Sequence, residues 1–261
     1  MEKFVSFKNL NNPIDYFYSK EHFLLLLISL VIIIFFSMYA SRQKTKFQKV
    51  FVFIFSFLVT SLEAVRIFWR YKYLQLNNLS LDFLNVVNLD IFTISLWLSI
   101  PFLFYGAFKQ TKKRKTIFGL NFVFSITTLM AIITLIYPEG LNANFPFYHC
   151  YNLMYVTIRS FVIMLGLFFA FTKWTPVSEL MNIWRSLLSL IILGVMCVGF
   201  YYFFGQENNL FYIEYCPLFE SLGIYLPMPL HLLLLGCFIF VFQLIMHLPF
   251  ILHRRHRFKR K

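Results

Sequence analysis

The sequence predicts an all-α bundle of about seven membrane-spanning helices, and three observations carry that prediction. Of 261 residues, 59% are hydrophobic and only 13% are charged, where a soluble domain carries about a quarter charged residues. The apolar residues fall into seven stretches near the roughly 20 residues that a helix needs to cross the hydrocarbon core. The basic residues behind the net charge of +13 cluster between those stretches, the pattern of membrane topology rather than of nucleic-acid binding.

The stretches are 23–39, 50–68, 84–108, 116–137, 149–171, 183–204 and 229–250. Each is too long and too apolar for a strand, and only a helix satisfies its backbone inside lipid. The first is preceded by Glu21 and His22 and followed by Arg42, Lys44, Lys46 and Lys49. That basic flank marks a stop-transfer segment, not a secretory leader. The second carries Glu63 and Arg66, three residues apart and so on one helix face. Arg66 lies close enough to the interface to snorkel. The third is read as one helix with Asp90 about two turns inside it and Pro101 as a mid-span breaker. The fourth ends at Tyr137-Pro138. His149 and Cys150 open the fifth, which holds Arg159 near its middle. The sixth has Arg185 near its start. Pro229 and His231 open the seventh, and His247 marks its end. No linker or fixed-period repeat divides the chain, so residues 1–261 form one domain with a basic tail at 251–261.

Seven spans put the termini on opposite sides. Sixteen Lys or Arg lie on the side of segments 41–49, 109–115, 172–182 and the tail, against five on the other. The positive-inside rule then places the N-terminus outside and the C-terminus in the cytoplasm of a multi-pass protein of the cell membrane. The basic tail has a plain orienting role, with contact to anionic lipid as the alternative. With that orientation, His22, Glu63, Arg66, Asp90, His149, Cys150, Arg159 and His231 converge on the outer half. The inner half holds little beyond Gln243 and His247.

A charge at the bilayer centre costs about 3 kcal/mol on insertion scales. Four retained charges therefore have partners, a use, or both. One reading is structural: Glu63 pairs with Arg66 within a helix, and Asp90 with Arg159 between helices. The other is a polar cavity open to the outer leaflet that binds a lipid headgroup or a small polar ligand, with the ion pairs present in either case. Trp69, Tyr71, Tyr73, Tyr137 and Tyr148 read as interface anchors. Cys197 and Cys237 read as apolar fillers, and a disulfide between Cys150 and Cys216 is open. There is no Walker A motif, GxSxG, HExxH or dinucleotide fingerprint, and no zinc spacing. No cofactor and no metal are expected, and membrane lipids are the expected partners.

Several ordered motifs resemble the YwaF-like family of bacterial integral membrane proteins, relatives of a vertebrate transmembrane acyltransferase acting on ether phospholipids. They are Phe17-Tyr18-Ser19-Lys20-Glu21-His22, Glu63, the run from Val87 to Leu96, Tyr137-Pro138, and Asn208-Asn209-Leu210-Phe211-Tyr212 with Cys216-Pro217. Leu222-Gly223, Pro227-Met228-Pro229 and Leu248-Pro249-Phe250 complete the set. The resemblance implies a site on Asn208, Asn209 and the outer charges, and acyl transfer to a phospholipid as the family activity. Two places depart from it. The family's His-Leu-Cys at span three is met by Asp90 and Phe92, and its span-five His by Arg159-Ser160. Acyl transfer through a covalent intermediate needs a nucleophile beside a base; here His149, Cys150 and His231 are the candidates. A transporter or transport-complex subunit, and an accessory membrane protein, are the alternative functions.

Overall fold

The computed structural model describes residues 19–87, 90–109, 118–136, 145–175, 180–204 and 223–259. Asn208, Asn209, Cys216, Tyr137-Pro138, Asn88-Leu89 and Phe17-Tyr18 lie outside the described residues. Every element among the described residues is helical. Seven helices are long and apolar enough to cross a membrane.

Helix α1 (Lys20–Ser41) begins where the Ser19 hydroxyl accepts the His22 N–H at 3.1 Å, an N-cap bond for an otherwise orphan donor. Its buried residues Ser29, Ile33, Ser37 and Ala40 recur at helical spacing, and three of the four are small. Small residues let membrane helices approach closely. Ser37 Oγ accordingly donates to Met164 O on α7 (Cys150–Thr172) at 2.9 Å.

Helix α2 (Thr45–Leu76) has 32 residues, about 48 Å of helix against a hydrocarbon core of about 30 Å. It reaches beyond the expected span. Trp69 and Tyr73, in that extension, are buried with Phe145 and Tyr151 rather than standing as interface anchors. They stack on one another instead of facing headgroups. Tyr71 and Tyr148 are exposed.

The third apolar stretch is not one helix. A five-residue helix α3 (Phe83–Val87) precedes α4 (Ile91–Lys109), and Asp90 stands at the break. Pro101 lies inside α4 without ending it. The fourth span is composite: α5 (Phe118–Phe122), a π turn (Val123–Thr127) and α6 (Thr128–Ile136). Ser99 and Thr127 hydroxyls meet at 2.5 Å and tie α4 to the π turn.

Burial ranks the helices. The spans Gly119–Ile136 and Cys150–Thr172 are 78% and 72% buried, whereas those in α8 (Leu180–Phe204) and α9 (Met228–Lys259) are 28% and 17%. The core therefore lies along α7 and the composite span, and α8 and α9, like α1 at 22%, lie at its periphery. Helix α9 runs on past His247 and through Pro249 to Lys259, so neither residue ends it. Most of the basic tail continues the helix.

Candidate functional site

Asp90 is an N-cap, not a mid-helix carboxylate. Its Oδ1 accepts the Thr93 N–H at 2.5 Å, at the positive end of α4, where an anion is stabilised by the helix dipole. Arg159 faces it from α7, with Nη2 3.3 Å from Asp90 Oδ2. Two further N–H groups of the guanidinium are also engaged. Nε donates to Thr134 Oγ1 at 2.9 Å and Nη1 to Tyr155 O at 3.2 Å. The Phe92 and Tyr155 rings lie 4.4 and 3.3 Å from the guanidinium carbon, a cation–π arrangement.

Thr134 belongs to the last turn of α6, whose carbonyls have no intrahelical donors. Tyr155 Oη donates to Thr134 O at 2.7 Å, and His22 Nε2 donates to Leu135 O at 3.0 Å. Arg159 is thus held at the negative end of one helix and Asp90 at the positive end of another. Each dipole favours the charge beside it. Helix ends and the mutual ion pair thus help the bundle tolerate both charges.

The pair is asymmetric. The Arg159 side chain is 4% exposed and that of Asp90 31%. The site opens at the carboxylate. A cavity of about 550 Å³ lies between α8 and α9, and Ile91 and Met130 contribute to its wall. Ile91 follows Asp90 in the chain, and Met130 O accepts the Thr134 hydroxyl at 2.8 Å. Ile91 and Met130 are thus the wall residues that link the slot to the charge pair, while Asp90 and Arg159 themselves are not among its lining.

The second pair is closed. Arg66 Nε and Nη2 reach Glu63 Oε2 and Oε1 at 2.9 and 2.7 Å, and the side chains are 4% and 5% exposed. Arg66 does not snorkel. Its Nη2 also donates to Val87 O at 3.1 Å, and Arg70 Nε donates to Asn85 O. Two arginines one turn apart on α2 thus hold the carbonyls of α3, a helix too short to be stable alone.

His149 and Cys150 come within 4.0 Å at Nδ1 and Sγ. Nδ1, however, accepts the Tyr151 N–H at 3.2 Å as the N-cap of α7. The imidazole stacks on Phe145 at 4.3 Å and meets Trp69 edge-on at 5.2 Å. A base that is to take a thiol proton needs its acceptor nitrogen turned to the sulfur, and here a backbone amide occupies it. His231 is buried in the first turn of α9, with its N–H on Pro227 O at 3.0 Å.

Sequence reasoning missed Thr134 and Tyr155. The second had a signal, since Tyr155 and Arg159 stand four apart on one face. Among the described residues no group of three or more His, Cys, Asp or Glu could hold a metal ion. No curated protein and no solved structure matched the chain. A family model described as the TMEM164 family matches residues 17–247, which span both ion pairs and the α8–α9 slot, and the chain belongs to that family.

Proposed function

We propose that this TMEM164-family membrane protein binds an amphipathic lipid, with the polar head at Asp90 and the apolar body in the slot between α8 and α9. The carrying observation is the half-open Asp90 carboxylate next to a slot walled by Leu187, Leu190, Leu232 and Leu235. Arg159, buried and with three of its N–H groups hydrogen-bonded, positions the carboxylate. The ligand group that meets Asp90 is accordingly a hydrogen-bond donor. The proposal includes the outward orientation of this end of the bundle in the cell membrane, supported by the charge count of the connecting segments.

The finer placement among YwaF-like proteins, supported by the order of their motifs, belongs to the same proposal. Acyl transfer is the weaker part of it. Phe92 offers no nucleophile where the resembled family has cysteine, and His149 Nδ1 is engaged by a backbone amide. Binding without turnover fits the geometry better.

Asp90→Asn tests the reading, because Asn remains a good N-cap while the charge is lost. Lipid retention by the purified protein, measured by native mass spectrometry, should fall roughly 10- to 100-fold, the worth of one charge-assisted hydrogen bond. Unchanged retention in a folded variant would sink the proposal. The orientation has its own check. A tag after Lys261 should be labelled only after intact cells are permeabilised, and labelling before that reverses the assignment.

A further inference from the structure

A second polar cluster lies at the other end of the composite span, and the site at Asp90 does not use it. Asn121 sits 13 residues before Thr134, roughly 20 Å along the helix. Three pairs spaced four apart meet there: Asn121 with Ser125, Asn182 with Ser186 on α8, and Gln243 with His247 on α9. All six residues are at most 1% exposed.

Their hydrogen bonds fix the amide orientations. Ser186 Oγ donates its one proton to Asn182 O at 2.8 Å. It therefore accepts from Asn121 Nδ2 and from His247 Nε2, each at 3.3 Å. Gln243 Nε2 donates to Ser125 O on the π turn at 3.3 Å. Flipping Gln243 would set its oxygen against the Ser125 carbonyl, and flipping Asn121 would need the Ser186 proton that Asn182 O holds. The consequence is that Asn121 Oδ1 and Gln243 Oε1 are both buried acceptors without a hydrogen-bond donor. Buried polar atoms almost always have partners. Two such acceptors in one cluster, both amide oxygens, ask for one kind of ligand. The backbone adds a second sign, because single π turns inside α-helices recur at functional sites.

The geometry points to a binding site for a small monovalent cation, held by Asn121 Oδ1 and Gln243 Oε1 beside the π turn. Carbonyl oxygens in a membrane protein can replace the hydration shell of such an ion, and unwound backbone beside polar side chains is a recurrent cation site. His247 presents Nε2–H to Ser186, so that nitrogen is not a ligand. Arg185, half-buried with Nη1 on Asn182 Oδ1 at 3.1 Å, is a charge that opposes the ion and weakens its binding.

Thermal melting of the full-length protein in detergent, in sodium, potassium, ammonium and choline chloride at equal ionic strength, tests this. At least one small cation should raise Tm over choline by about 4 °C once it exceeds Kd roughly fifteen-fold. Asn121→Leu and Gln243→Leu should abolish the rise, and Arg185→Gln should enlarge it. Identical melting of the wild type in all four salts would overturn the site and leave a neutral donor such as water on the two oxygens. A rise that persists in both Leu variants would overturn it equally. The wild-type comparison decides even if those variants do not fold. It is also independent of lipid binding at Asp90.

Discussion

Replacing Glu63 by Ala should destabilise the protein by about 3–5 kcal/mol, the cost of leaving a buried charge without its partner. Spacing alone would give a much smaller figure, since an exposed helix pair is worth only about 0.3–0.5 kcal/mol. Burial decides between the two. With both side chains at most 5% exposed, Arg66 cannot recover hydration once the carboxylate is gone. Its remaining partners, Val87 O at 3.1 Å and the Tyr151 hydroxyl, are neutral and do not replace the carboxylate. Replacing both residues together by Leu should restore most of the loss, because two apolar side chains leave no orphan charge. Some deficit, about 1 kcal/mol, should remain from the uncapped carbonyl of α3. Reversible unfolding in mixed micelles measures all three proteins. A Glu63→Ala loss below about 1 kcal/mol would mean that the pair is hydrated, and the closed description of it would fail.

The second large effect is expected at Gly166, in the middle of α7. A Cβ there would stand 2.0 Å from Thr128 Oγ1 and 2.9 Å from Thr128 Cβ, inside the best-buried part of the bundle. Overpacking of this kind costs about 1–3 kcal/mol, and Gly166→Ala should fall at the upper end because helix propensity can return only about 1 kcal/mol. Thr128→Ala in the same chain should recover part of the loss by removing the closest atom. Gly194 and Gly236, on α8 and α9, have nothing within 4 Å of the same position. Their Ala variants should be neutral or slightly stabilised. Equal losses at Gly166 and Gly194 would contradict the ranking of the helices by burial.

The seven spans were legible because a membrane leaves one solution for 20 apolar residues, and length announces it. Where a helix begins inside an apolar run was not. Asp90 sits in a continuous apolar stretch, and hydropathy does not separate an N-cap from a mid-helix carboxylate. The break at α3 is set by tertiary contacts, namely Arg66 and Arg70 on its carbonyls, and those arginines lie on another helix. The pairing of Asp90 with Arg159 was expected whether or not a cavity is present, and the structure shows it. What fixed its surroundings was Thr134, a residue with no signal of its own. The cluster around His247 was missed for a different reason. Each of its residues looks ordinary alone, and the spacing of four in Asn121/Ser125, Asn182/Ser186 and Gln243/His247 shows only when three spans are compared. His247 then changes from a helix end to a packed member of that cluster.

The two ion pairs have an electrical consequence. Moving one elementary charge through a potential of 100 mV is worth about 2.3 kcal/mol, enough to drive a conformational change. Glu63 with Arg66 and Asp90 with Arg159 are couples of zero net charge. Any rearrangement that keeps them intact displaces dipoles but no net charge, and the membrane field does almost no work on it. A helix movement built on these couples would run alike in energised and de-energised membranes.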